Sequence, residues 1–216
     1  MKKLLFIIMI AVAFFACEQD DYLVDGGLSD PNVYMSTMAY LKQHPQLDTF
    51  AILIERAGLA DEVDGESTVF VANNLSVNKY LDEVLSELRQ EDPLATYTID
   101  DIPLDTLQKY MGAYVFDTKI TRDDMSKEGQ IYTAVNGEQR RISLEPVLSG
   151  EIAYGNNLTI APEYVYYTYK YGTSWDDWDN LKDDTKIIVR TSNLISTNGV
   201  IHVLQGSHTL FDYEGE

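Results

Sequence analysis

The sequence predicts an α+β domain behind a short export leader, and three observations predict the fold class. Val33–Leu41, Leu47–Leu59 and Leu75–Leu88 carry apolar residues at helical spacing. Between and after them come β-branched and aromatic runs bounded by glycine or asparagine, the pattern of strands. The last run, Val200–Leu204 with His202 inside it, follows the turn Thr197-Asn198-Gly199. Asn-Gly is read as a tight turn with positive φ. The run after it fits a strand buried on both faces, which needs a large body of protein to cover it.

The leader lies outside that domain. Lys2 and Lys3 precede an unbroken apolar run of 12 residues, Leu4–Phe15, and Ala16-Cys17 follows at once. At about 1.5 Å per residue the run is too short for a hydrocarbon core of about 30 Å, so residues 1–16 read as a signal peptide. Cys17, the one cysteine of the chain, stands where cleavage falls, so no disulfide framework is available and stability must come from a core. Residues 17–35 are polar, with Glu18, Asp20, Asp21 and Gly26-Gly27, and read as an acidic flexible tether. The formal net charge is −19; loss of Lys2 and Lys3 leaves 14 basic against 35 acidic residues, or −21. Such a chain is repelled by phosphate backbones, which argues against nucleic acid as a partner.

In chain order, Val33–Leu41 reads as a helix broken by His44-Pro45. In Leu47–Leu59 the apolar positions Phe50, Leu53, Ile54 and Ala57 share one face, Asp48 or Thr49 is the expected N-cap, and Gly58 the C-terminal cap. Thr68–Val71 between Gly65 and Asn73-Asn74 reads as a strand, and Leu75–Leu88 as a helix with Tyr80, Leu81, Val84, Leu85 and Leu88 on one face. Thr98–Phe116 reads as a helix capped by Asp105 or Thr106 and ended at Gly112, followed by a strand. Ile131–Val135 and Arg140–Pro146, joined at Asn136-Gly137, read as a hairpin; Arg140 and Arg141 are expected at a solvated strand end beside carboxylates. The tail after His208 reads as short and polar.

Two stretches carry a family resemblance. Thr68-Val69-Phe70 with Asn74, and Thr197-Asn198-Gly199 with Val200-Ile201-His202-Val203, resemble the two signatures of fasciclin domains, and Thr49-Phe50 with Ala57-Gly58-Leu59 is similar to the helix that precedes the first. Ala72 stands where the family usually has proline. The resemblance implies a fasciclin-like domain over residues 36–212, with two β-sheets in a wedge flanked by several α-helices. It also implies an adhesion or binding module, without a catalytic site or cofactor. Ala113-Tyr114-Val115 lacks the histidine of the family's Tyr-His element, which argues against the integrin contact of animal members. Cys17 and the acidic residues after it resemble a Bacteroidetes surface lipoprotein. That implies a lipid anchor on Cys17 and display on the outer face of the outer membrane. An ordinary secreted protein, and a merely solvated acidic linker, are the alternatives.

The region near 150–184 departs most from the family and reads as an aromatic-rich insertion. Tyr154, Tyr164, Tyr166, Tyr167, Tyr169 and Tyr171 are followed by Trp175 and Trp178, both tryptophans of the chain. Spacing by two puts Tyr167, Tyr169 and Tyr171 on one strand face and Tyr164 and Tyr166 on the other. Two readings are open: a ligand platform of Tyr167, Tyr169, Tyr171, Trp175 and Trp178 for a glycan or a surface protein, or a tyrosine-rich strand pair closing the sheet. A calcium site among Asp176, Asp177, Asp179 and Asn180 lacks the spacing of a calcium loop. No nucleophile elbow, phosphate loop, zinc helix or Cys-x-x-Cys pair is present, and His202 reads as a satisfied core histidine. The expected function is therefore a non-catalytic surface-binding lipoprotein. The alternatives are a structural subunit of an outer-membrane complex such as a glycan-uptake system, and, behind both, a glycan-cleaving enzyme.

Overall fold

The computed structural model describes residues 30–147 and 162–211. Cys17, the leader, most of the tether and Tyr154 lie outside the described residues. The helices come first: α1 (Thr37–Gln43), α2 (Asp48–Ala57), α3 (Ala60–Val63), then strand β1 (Thr68–Val71), α4 (Asn74–Glu91) and α5 (Leu104–Tyr110). Six strands follow: β2 (Val115–Phe116), β3 (Gln130–Thr133), β4 (Gln139–Pro146), β5 (Glu163–Tyr169), β6 (Thr185–Ile195) and β7 (Val200–Leu204).

The strands run in the order β2-β1-β7-β6-β5-β4-β3. β6 belongs to two sheets: residues up to Ile188 pair with β5, and residues from Val189 onward pair with β7. Two register irregularities lie in that second half, where Asn193 sits at φ 64°. The bulges bend the long strand, so one strand serves both halves of the wedge.

At the centre, β1 and β7 are parallel, with Thr68 opposite Val200 and Phe70 opposite His202. Both strands are buried along their whole length, as an apolar run of this kind demands. The turn before β7 explains its own residues. Asn198 accepts from the Thr37 amide at 2.9 Å, and its side-chain nitrogen donates to the carbonyls of Val63 and Gly65, each at 3.2 Å. The Gly199 amide donates to Ser196 Oγ at 2.7 Å. Gly199 is not among the positive-φ residues, contrary to the sequence reading. Glycine is needed for a different reason: a Cβ here would stand 2.4 Å from the Ser67 carbonyl oxygen. That oxygen accepts the Val200 amide at 2.9 Å and starts the parallel ladder.

α2 has the expected buried face of Phe50, Leu53, Ile54 and Ala57, and ends at Gly58 with φ 79°. The Leu59 amide reaches back to the Ile54 carbonyl at 3.1 Å, the closure that a left-handed glycine permits. Neither expected N-cap acts as one: Leu47 holds that position, and Asp48 opens the helix itself. α5 starts after Pro103, and Gly112 lies in a 3₁₀ turn, Met111–Tyr114, that leads straight into β2. α4 follows the helical period only in part. Val77 is buried, but Leu88 remains 42% exposed. Residues 205–211, after β7, pack on the domain: His208, Leu210 and Phe211 are buried, with Phe211 against Tyr80 and Tyr110.

His202 is a core residue, as its sequence context suggests. The Asn193 amide donates to its Nδ1 at 3.2 Å, so the proton sits on Nε2, which donates to the Ile120 carbonyl at 2.9 Å. Its ring stacks on Phe70 with centroids 4.7 Å apart. Burial pushes its pKa down from 6.5 to about 4, and burial, then Lys79 and Arg140, push His208 down to about 3. Both rings stay neutral in the fold while the unfolded chain protonates below about 6.5. The stability they contribute is complete above that pH and is lost as pH falls toward the folded values, at about 1.4 kcal/mol per unit of displacement. Chemical denaturation should therefore show stability falling between pH 6.5 and 5, above the range of most carboxylates. A His202→Gln, His208→Gln variant should show a flatter profile there; an equal slope in both proteins would contradict the assignment.

Candidate functional site

The β4-β5-β6 half of the sheet has two faces of opposite chemistry. Inward, Ile142, Val165, Tyr167, Ile187 and Val189 enter the core. Outward, the register places Ser143 beside Tyr166, Glu145 beside Tyr164, and Tyr166 beside Ile188. The segment between β5 and β6, residues 170–184, folds back across this outer face and is tied down by one buried and one half-buried cation.

Arg141 and Lys186 form those ties. The Arg141 guanidinium donates to the Asp176 carbonyl, stands 3.7 Å from the Asp184 carboxylate, and lies 5.4 Å from the Trp175 ring. Lys186 Nζ pairs with Glu145 at 2.6 Å and donates to the Trp178 carbonyl. Within the segment, one Asp176 oxygen accepts the amides of Lys182, Asp183 and Asp184 at 2.7–3.0 Å. Those three amides favour the charged form and lower the Asp176 pKa to about 2. Asp184 accepts the amides of Tyr171 and Asp176. Two members of the acidic run, Asp176 and Asp184, thus act as backbone clasps. Among the described residues no group of His, Cys, Asp and Glu is placed to hold a metal ion.

Arg140 and Arg141 are buried, at 3% and 5% exposure, where a solvated strand end was expected. Arg140 bonds Glu138 at 2.6 Å and the Tyr167 hydroxyl at 2.8 Å. The partners of Arg141 lie in a segment more than thirty residues away, which local pattern does not reveal.

The five platform residues do not come together. Tyr167 is wholly buried: its hydroxyl donates to the Ala113 carbonyl at 2.9 Å, its ring stacks on Tyr114, and burial raises its pKa to about 12. It is therefore corrected from ligand platform to core. Tyr169 packs partly against the core and, with Trp175 and Arg140, borders a small cavity of about 380 Å³. Tyr171 lies past the end of β5, 46% exposed. Of the five, Trp178 alone lines a cleft of about 840 Å³, where its neighbours are Tyr164 and Tyr166 from the other strand face. Period two separates the two faces correctly; it does not say which one the core takes.

This cleft lies across β4, β5 and β6, with Glu145, Lys186, Ile188 and Arg190 in its walls and Asp179, Leu181 and Gln205 completing them. Lys186 stands 5.3 Å from the Tyr166 ring and Lys127 stands 5.5 Å from the Trp178 ring. Planar rings beside polar and charged groups suit a ligand with flat apolar faces and hydroxyl edges.

A sheet preceded by helices, with an aromatic cleft on its outer face, defines an α+β domain. The family model for the fasciclin domain matches residues 45–206, and the chain belongs to that family. Among solved structures, a FAS1 domain pair from the insect cell adhesion molecule fasciclin I is similar in fold, with a TM-score of 0.54 and 15% identity. The match covers 84% of this chain and 52% of that one, so the chain spans about half the length of the pair. Curated proteins give no match. No helix among the described residues is long and apolar enough to cross a membrane.

The ties across the outer face are testable. Asp184→Ala leaves the Arg141 guanidinium buried without its countercharge, which should cost about 3–5 kcal/mol in chemical denaturation. Replacing both partners, as in Arg141→Met with Asp184→Leu, should recover part of the loss. A double variant as unstable as the single one would show that the pair does not act as a pair.

Proposed function

We propose that this fasciclin domain is a non-catalytic, surface-displayed adhesion module, held to the outer membrane by lipid on Cys17, that binds glycan in the cleft of Tyr164, Tyr166 and Trp178. The observation that carries the reading is the cleft itself: three aromatic rings around a space of about 840 Å³, on the sheet face that the core does not use. Sugar C–H faces stack on such rings, and the carboxylate and amide groups beside them accept and donate to hydroxyls. Family membership supports adhesion rather than catalysis, and fasciclin I is itself a cell adhesion molecule. The leader and the single cysteine support the lipid anchor. A net charge of −19 leaves an anionic bilayer surface unattractive to the domain itself, so lipid is the means of attachment.

A protein partner is the second reading, as for a structural subunit of a surface complex. Leu181, 47% exposed at the cleft, and Tyr171, 46% exposed on the same segment, favour it.

Glycan-array binding by the full chain in detergent micelles decides between them. The expected result is a saccharide whose affinity falls about tenfold or more in Trp178→Ala and in Tyr166→Ala, and is unchanged in Tyr171→Ala. Retention of a surface protein with no glycan bound would overturn the glycan reading.

A further inference from the structure

The Arg190 guanidinium makes no hydrogen bond, ion pair or ring contact with the described residues, and it stands in the wall of the cleft. In a chain with 35 acidic and 16 basic residues a guanidinium without a carboxylate is unexpected. Its position explains it. Val189 stands opposite Leu204 and Thr191 opposite Val203, so Arg190 is the extra residue of a bulge. Bulges re-aim the side chain they carry. Here β6 passes from pairing with β5 to pairing with β7, and the bulge leaves Arg190 exposed beside the aromatic rings.

The other charges of the cleft differ. Glu145 is satisfied by Lys186 at 2.6 Å and by the Ser143 hydroxyl at 2.7 Å, and Lys186 is satisfied in turn. Asp179 is exposed and oriented to solvent, a suitable acceptor for hydroxyls. What the cleft offers to a ligand is therefore a planar cation, aromatic faces and a hydroxyl acceptor.

We propose that the cleft is specific for an acidic saccharide, one that carries a uronic-acid carboxylate, with Arg190 as the group that receives it. This rests on the glycan reading above. A guanidinium fork matches a carboxylate with two parallel N–H···O bonds, and its weak hydration makes the exchange of water for carboxylate favourable. A neutral sugar leaves that donor pair to water and gains only the stacking. The cleft volume, about 840 Å³, lies within the usual range of ligand sites.

The test titrates the full chain in detergent micelles with oligogalacturonate and with its methyl ester, which keeps the ring and removes the charge. The acid should bind about tenfold or more tightly than the ester, and Arg190→Gln should abolish that preference while leaving the weaker ester binding in place. Arg190→Lys should restore only part of it, since an ammonium cannot form the fork. Thermal unfolding of the variants should match that of the parent, because Arg190 holds nothing in the fold. Equal binding of acid and ester, or a preference that survives Arg190→Gln, overturns this proposal and leaves the glycan reading standing. If neither saccharide binds while a neutral glycan on the array does, only this proposal falls; if no glycan binds at all, both fall.

Discussion

The parallel pairing of β1 and β7 is the constraint on which the rest depends. Two strands separated by about 130 residues must lie side by side, and neither has a local turn to bring it there. The contact is fixed at its start by side chains as much as by the ladder. Asn198 ties α1 to the end of α3, Ser196 closes the turn, and the missing Cβ of Gly199 lets the chain approach the Ser67 carbonyl. Thr68 then binds the loop after β2 through the Thr118 carbonyl and the Ile120 amide, and His202 binds the same loop through the Ile120 carbonyl. Asn73, just past β1, caps α4 through the Ser76 amide. One strand pair therefore sets the positions of the leading helices, the β2 loop and α4.

From that centre β6 carries the order outward. Its bulged half belongs to the core pair and its regular half to β5, so the outer sheet inherits its position from β7. Tyr167 anchors the outer sheet by reaching from β5 to the Ala113 carbonyl and stacking on Tyr114. With one tyrosine face committed to the core, Tyr164 and Tyr166 stand on the other. The returning segment, clasped by Asp176 and Asp184 and tied by Arg141 and Lys186, brings Trp178 to complete the cleft wall. The chemistry of the site is thus a consequence of which residues the core did not take.

Much of the fold was legible because it is encoded locally. The apolar period of α2 with Gly58, the Asn136-Gly137 hairpin and the doubly buried β7 each need only a short window of chain. So did the pairing of two signature stretches with a shared family. What escaped is encoded by distant partners. Arg140 reads as solvated until the Tyr167 hydroxyl and Glu138 are seen against it, and Arg141 until the returning segment supplies Trp175, Asp176 and Asp184. Gly199 reads as a positive-φ residue until Ser67 is seen against it. The alternation of tyrosines separated two faces but carried no sign, so the platform was drawn on the core side, and only Trp178 of its five residues reached the cleft. Arg190 gave no signal at all, since a bulge is a property of the pairing with β7.

Native-state hydrogen exchange tests the hierarchy most directly, since it reads the opening free energy of each segment separately. The amides of Val69–Val71 and Val200–Leu204 should exchange only through global unfolding. Those held by the clasps of residues 170–184 should open independently and at lower free energy. Amides of β1 and β7 that exchange as readily as those of the returning segment would contradict the claim that the parallel pair holds the rest in place.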